Sequence, residues 1–319
     1  MALTRSKRIR VKRSNKKRRK LTRRLQSQEG GKGKQPDPGP SQCHPAMGKE
    51  VPPQGCLPME ILRTAAGKLG VNESLDGKDL RKELEAKLNL KKPGERTFLE
   101  ALPISAAEKK TLAKDCLRPP LPKSWISDPD MWLDSNNIAD VMNQYETAHT
   151  NKATGKKEFE FMGPFPIDFA APDPYAKGSG EKKCLQKEIC EIRVEKAIAD
   201  GIKSIGIVYN LDPHYKSGSH WVANYIDLVN HVCYYFDSYG IEPPPQVEKF
   251  MKWLTTHDPK HPMKLQYSKR RLQYSNTECG MYCIYVIIRL LEGDQFLDIT
   301  RRKPEDSDML DYRDFLFST

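Results

Sequence analysis

Residues 279–288 read Cys-Gly-Met-Tyr-Cys-Ile-Tyr-Val-Ile-Ile. An apolar run of this length suits a helix buried by whatever else the chain folds into. The pattern predicts a helix over 279–292, closed by Gly293. The polar stretch before it, Gln273-Tyr-Ser-Asn-Thr-Glu278, puts Cys279 at the helix start. Unpaired backbone N–H groups and the positive end of the helix dipole favour a thiolate there. For a lone Cys-Gly the other reading is a small, inert buried cysteine.

The elements that would bury this helix follow a change of period after Gly201. Ile205–Leu211 reads as a short buried strand, Trp221–Leu228 and His231–Asp237 as two more, and Lys264–Tyr267 as a fourth. The connection at Val229-Asn230 is tight enough to predict an antiparallel hairpin. Pro243–Pro245 introduces a helix over 246–255, with Phe250, Trp253 and Leu254 inward. Trp132–Tyr145 predicts a helix capped by Asp134 or Ser135, its apolar face made of Leu133, Ile138, Val141, Met142 and Tyr145. Residues 150–185 read as loop-rich, 190–199 as helical, and Ser307 as the cap of a last helix through Phe315. The expected class is α+β, a mostly antiparallel sheet packed by helices.

The amino-terminal third differs in kind. Residues 1–34 hold 15 of the 53 Lys and Arg and a single acid, Glu29, so the formal charge of +11 resides in this tail and the remainder is nearly neutral. Dense like charge predicts a disordered basic tail. Residues 5–24 suit phosphate neutralisation on DNA or RNA, and serve equally as a nuclear import signal. Residues 35–57 read as a Pro/Gly linker. Residues 58–117 read as a small helical region, with stripes at Met59, Leu62, Ala66, Leu69 and at Leu80, Leu84, Leu88, and a third helix from Ser105 with Glu108 completing a capping box. Its first two helices resemble small DNA-binding modules of the SAP type; a helical appendage packed on the main domain is the plainer reading. Arg118-Pro-Pro-Leu-Pro122 opens the main domain, 118–319.

No run of about 18 apolar residues offers a membrane span, and the start lacks the apolar core of a secretory signal. Eight cysteines without paired CxxC spacing fit free thiols in a reducing compartment. Cys43-His44 has no second pair at ligand spacing, so no metal is expected.

A cysteine nucleophile needs a base and a group that orients the base. His220 begins one strand of the predicted hairpin and Asp237 ends the other, so antiparallel pairing places them together at its open end. One carboxylate then holds one imidazole nitrogen and leaves the other for a thiol. Gln273, six residues before Cys279, is a candidate oxyanion donor, with the Cys279 backbone N–H as a second and Asn276 as an alternative amide.

Ser219-His220-Trp221 with Asp227, Phe236-Asp237-Ser238 and Gln273 through Glu278-Cys279-Gly280 resemble the ubiquitin-like-protein protease family, the adenain-like cysteine peptidases. Thr277-Glu-Cys-Gly280 and Asp237-Ser-Tyr-Gly240 resemble its branch in large DNA viruses. The resemblance covers about residues 125–292. It implies the papain-like, adenain-like fold, with Cys279 as nucleophile, His220 as base, Asp237 as orienter and Gln273 as oxyanion donor. Trp132 and Trp221 would wall a tunnel selecting Gly-Gly before the scissile bond. It further implies no cofactor, and a viral polyprotein or core protein as substrate during virion maturation, in the virion core and the host cytoplasm or nucleus. Removal of SUMO- or ubiquitin-like tags is an alternative, and an inactive protease fold that binds nucleic acid is another. Asp134-Ser135 and Glu278 depart from the family's commoner residues, and Cys283, one turn after Cys279, reads as core.

Overall fold

The helix beginning at Cys279 lies against the middle of a five-stranded sheet. The computed structural model describes residues 41–48, 50–173, 184–301 and 304–319, all within one unit, Asp37–Thr319. The basic tail, with its candidate nucleic-acid segment 5–24, lies outside the described residues.

The strands are β1 (Phe159–Pro166), β2 (Ser204–Asn210), β3 (Trp221–Asp227), β4 (Val232–Phe236) and β5 (Lys264–Tyr267), in spatial order β1-β2-β3-β4-β5. The central pairings are antiparallel, whereas β1 joins β2 and β5 joins β4 in parallel. β1 falls in the stretch expected to be loop-rich. Gly163, Pro164 and Pro166 punctuate it like a turn, but an edge strand tolerates proline because its outer N–H side needs no partner.

Alternation along the inner strands splits the core in two. Trp221, Ala223, Tyr225 and Phe236 face the helices Cys279–Leu291 and Ser135–Ala148. Val222, Ile226, Cys233 and Tyr235 face the helix Pro245–His257 on the other side. Every residue from Cys279 to Arg289 is buried, as an apolar run of this kind requires. Gly206 of β2 lets the two layers close: a β-carbon there would meet Phe159 at 3.0 Å and Ile287 at 3.3 Å. Trp253 departs from its expected inward position. The buried stripe is Val247, Phe250, Met251 and Leu254, and Trp253 lies beside it, partly exposed, over Phe250 and His257.

The helical region has its own core. Helices Met59–Leu69, Gly77–Lys87, Glu95–Ala101 and Ala106–Cys116 enclose Leu62, Leu80, Leu84 and Phe98, and the Ser105–Glu108 capping box forms as expected. The described part of the expected linker is not a free spacer. Cys43, Cys56 and Leu57 are fully buried in this core, and Cys43 bridges to Leu117. Cys43 and Cys56, with Cα atoms 5.1 Å apart, form a disulfide, and Cys184 and Cys190 form another. This corrects the expectation of free thiols throughout. The fold-back that joins residues 13 apart carries no CxxC-like mark in the sequence. Cys116, Cys233, Cys279 and Cys283 remain free, all buried. Among the described residues no helix is long and apolar enough to cross a membrane, and no group of three His, Cys, Asp or Glu side chains is placed to hold a metal.

Candidate catalytic site

The open end of the β3–β4 hairpin meets the start of the helix Cys279–Leu291. The strands pair in the register Ala223 to Phe236, which sets Asp237 across from Val222, two positions along from His220. The two side chains therefore meet diagonally rather than directly opposite. His220 Nε2 and Asp237 Oδ1 are 2.9 Å apart, with the carboxylate 1% exposed and the imidazole 11%. Asp237 Oδ1 also accepts from Tyr239 N at 2.7 Å, and Oδ2 is buried with no hydrogen-bond partner among the described residues.

Nε2 being taken, Nδ1 is left for the thiol. Burial disfavours the charged ring of His220. Hydrogen bonds to the Asp237 carboxylate and the Cys279 sulfur outweigh that effect and raise its pKa to about 9. The imidazole is thus held by a carboxylate on one side with the Cys279 side chain close by, the order a thiol, its base and the base's orienter require. Cys279 is the first residue of its helix, and the N-cap Glu278 makes no side-chain cap bond to the first-turn N–H groups. Cys283 lies one turn deeper, fully buried, where burial pushes its thiol well above the ordinary range. It is core, as expected.

Gln273 is buried with its amide orientation fixed. Its Oε1 accepts from Ser238 Oγ at 2.6 Å, and its Nε2 donates to Ser275 O at 3.0 Å. One amide N–H is thereby used and the other remains. Asn276 is exposed. Trp221 is buried, and its indole N–H donates to Leu133 O at 3.0 Å. Trp132 is 40% exposed on the loop before the helix Ser135–Ala148, whose N-terminus the Asp134–Asn137 capping box defines. Gly280 explains the Cys-Gly pair: a β-carbon there would approach Leu133 and the Trp221 ring at 3.2 Å each.

Several supporting residues carried no readable signal. The Glu278 carboxylate, pushed up by burial and held down by Arg313, pairs with Arg313 of the closing helix Asp306–Leu316 at 3.1 Å. Arg313 Nη1 also donates to Pro129 O and Met131 O, just before Trp132. Asp306 accepts from the Tyr274 and Ser275 backbone N–H groups. One helix thus holds both ends of the polar loop and the approach to Trp132. Glu305, not Ser307, is its N-cap. Arg313 lies 35 residues from Glu278, and no local pattern marks the pair. Ser238 and Tyr239 count in the sequence only as part of the family resemblance at Asp237-Ser-Tyr-Gly240, with no role of their own.

A sequence model of the Ulp1 protease family, C-terminal catalytic domain, matches residues 132–317. An Acanthamoeba polyphaga mimivirus protein named as a thiol protease is 32% identical over 178 residues, 53% of this chain and 50% of its own length. A SUMO-1 cysteine protease of African swine fever virus is 31% identical over 128 residues, 38% of this chain and 46% of its own. The chain thus spans about half the length of these curated relatives. In fold it is similar to the crystal structure of the African swine fever virus protease, with a TM-score of 0.57 at 20% identity, over 88% of this chain and 96% of that one.

Proposed function

The chain belongs to the Ulp1 protease family, and from that premise we propose that it is a cysteine endopeptidase that cleaves after Gly-Gly in viral polyprotein or core proteins during virion maturation. The observation that carries the reading is the His220 ring, held by Asp237 at 2.9 Å on one nitrogen, with the Cys279 side chain near enough to help raise its pKa. His220 takes the thiol proton, and the sulfur attacks the carbonyl carbon. Charge collects on the carbonyl oxygen, to which the Cys279 N–H and the remaining Gln273 amide N–H donate. The imidazolium returns its proton to the departing amine, leaving a thioester. Water, deprotonated by the same imidazole, attacks that thioester and releases the acid and the thiol. On this reading Trp132 and Trp221 wall the approach to Cys279, and a side chain beyond hydrogen would crowd their indoles, which is the basis for expecting glycine before the scissile bond.

The experiment is incubation of the full chain with Gly-Gly-X peptides beside Cys279→Ser. Cleavage lost in the variant supports the reading, and equal cleavage by both removes Cys279 from the chemistry. The relative named as a SUMO-1 protease favours a second reading, removal of ubiquitin-like tags. A SUMO or ubiquitin probe with an activated C-terminus distinguishes the two by whether it labels Cys279. The complete set of Cys279, His220, Asp237 and Gln273 argues against an inactive fold. The tail at 5–24 would retain the enzyme on DNA or RNA, near packaged substrate or in the nucleus. Deleting 1–34 should then weaken retention in a salt titration and leave peptide cleavage intact.

A further inference from the structure

Tyr239 touches both His220 and the carboxylate that holds it, and reaches the Gln273 amide through one shared carbonyl. Its ring stacks on His220, centroids 4.7 Å apart and planes 17° from parallel. Its backbone N–H donates to the Asp237 oxygen that holds His220. Its hydroxyl donates at 3.2 Å to Ser275 O, the carbonyl that also accepts from Gln273 Nε2. The Arg271 guanidinium lies 5.1 Å from the Tyr239 ring centroid and donates to Gln273 O. A flat ring against an imidazole limits its rotation about the bond to the chain, and favours the cationic form through the π face. A hydroxyl sharing a carbonyl with an amide fixes where that amide can turn.

We propose that Tyr239 is a positioning residue for the reaction: its ring sets the plane of His220, and its hydroxyl, through Ser275 O, sets the direction of the Gln273 amide. The proposal rests on the catalytic reading above. It predicts that the two halves of the side chain separate. Ring loss is felt at the thiol; hydroxyl loss is felt only at the oxyanion.

The test uses the full chain with Tyr239→Phe and Tyr239→Leu, each also in a Gln273→Ala background. Two quantities are read: kcat and KM on a Gly-Gly-X peptide, and the rate at which chloroacetamide alkylates Cys279, followed by mass spectrometry of its peptide. Thermal unfolding shows that each variant is folded. Tyr239→Phe should keep the alkylation rate within about 2-fold and lower kcat about 3- to 10-fold with KM unchanged. That loss should vanish in the Gln273→Ala background, because the hydroxyl acts through the amide. Tyr239→Leu should slow alkylation about 10-fold and lower kcat further. A folded Tyr239→Leu whose alkylation rate matches wild type overturns the ring's role. A Tyr239→Phe loss that adds in full to Gln273→Ala overturns the hydroxyl's. If the chain cleaves no Gly-Gly peptide, the substrate reading fails, and alkylation still decides whether Tyr239 orients His220.

Discussion

The connection from β2 to β3 supplies the histidines of two histidine–aspartate pairs, and they differ in nearly everything except length. His214 Nδ1 lies 2.7 Å from Asp168 Oδ2, and His220 Nε2 lies 2.9 Å from Asp237 Oδ1. The first pair sits at the surface, its side chains 32% and 21% exposed, with the His214 ring edge-on to Tyr215, itself 73% exposed. The second is nearly dry, stacked by Tyr239, and near enough to Cys279 for that side chain to help raise the imidazole pKa. A short imidazole–carboxylate contact is therefore no mark of a base. What makes one is an acceptor kept from water on one nitrogen and a reactive proton at the other.

The comparison breaks most readily at the histidines. His220→Ala should lower kcat/KM on a cleaved peptide by about 10⁴-fold or more, whereas His214→Ala should stay within about 2-fold. Equal losses would mean that surface pairing, not the thiol, is what counts. The acids come next: Asp237→Asn should cost about 10²- to 10⁴-fold in kcat and Asp168→Asn almost nothing, both read at fixed pH on folded protein. Gln273→Ala should lower kcat about 10- to 10³-fold with KM nearly constant, since an oxyanion donor acts in the transition state. Gly280→Ala tests the packing behind the site. Its methyl meets Leu133 and Trp221, and denaturant unfolding should show a loss of about 1–3 kcal/mol.

The smallest effect is a pH dependence of stability. His220 is raised in the fold from 6.5 to about 9, so it binds its proton more tightly folded than unfolded. Its contribution is fully present below pH 6.5 and is lost as pH rises through 9. The stability gap between wild type and His220→Gln should accordingly be widest below pH 6.5 and close towards pH 9 and above. A gap that widens with pH would contradict the proton's location on this ring.

The parts of the fold legible in sequence were those with a local period. The run from Cys279, the alternation in β3 and β4, and the Ser105 and Asp134 caps each express their structure within a few residues. Hairpin arithmetic brought His220 beside Asp237, missing only the diagonal offset. β1 was hidden by Gly163, Pro164 and Pro166, and the short helices Glu95–Ala101 and Phe296–Arg301 are too brief to show a stripe. The disulfides, the Glu278–Arg313 pair and the clamp of Asp306 on the polar loop were invisible for another reason. Each is a contact between segments that only tertiary folding brings together, and none imposes a period on its own segment.

The guanidinium that neutralises Glu278 has a consequence for the order of events on the ribosome. Arg313 is translated 35 residues after Glu278, so a growing chain carries the thiol while the acid beside it still lacks its counter-charge. Until the last turns of helix emerge, neither the stretch before Trp132 nor the turn into Cys279 has the donor that fastens it. The surroundings of Cys279 therefore stay unfastened until Arg313 has been made and has found its acid.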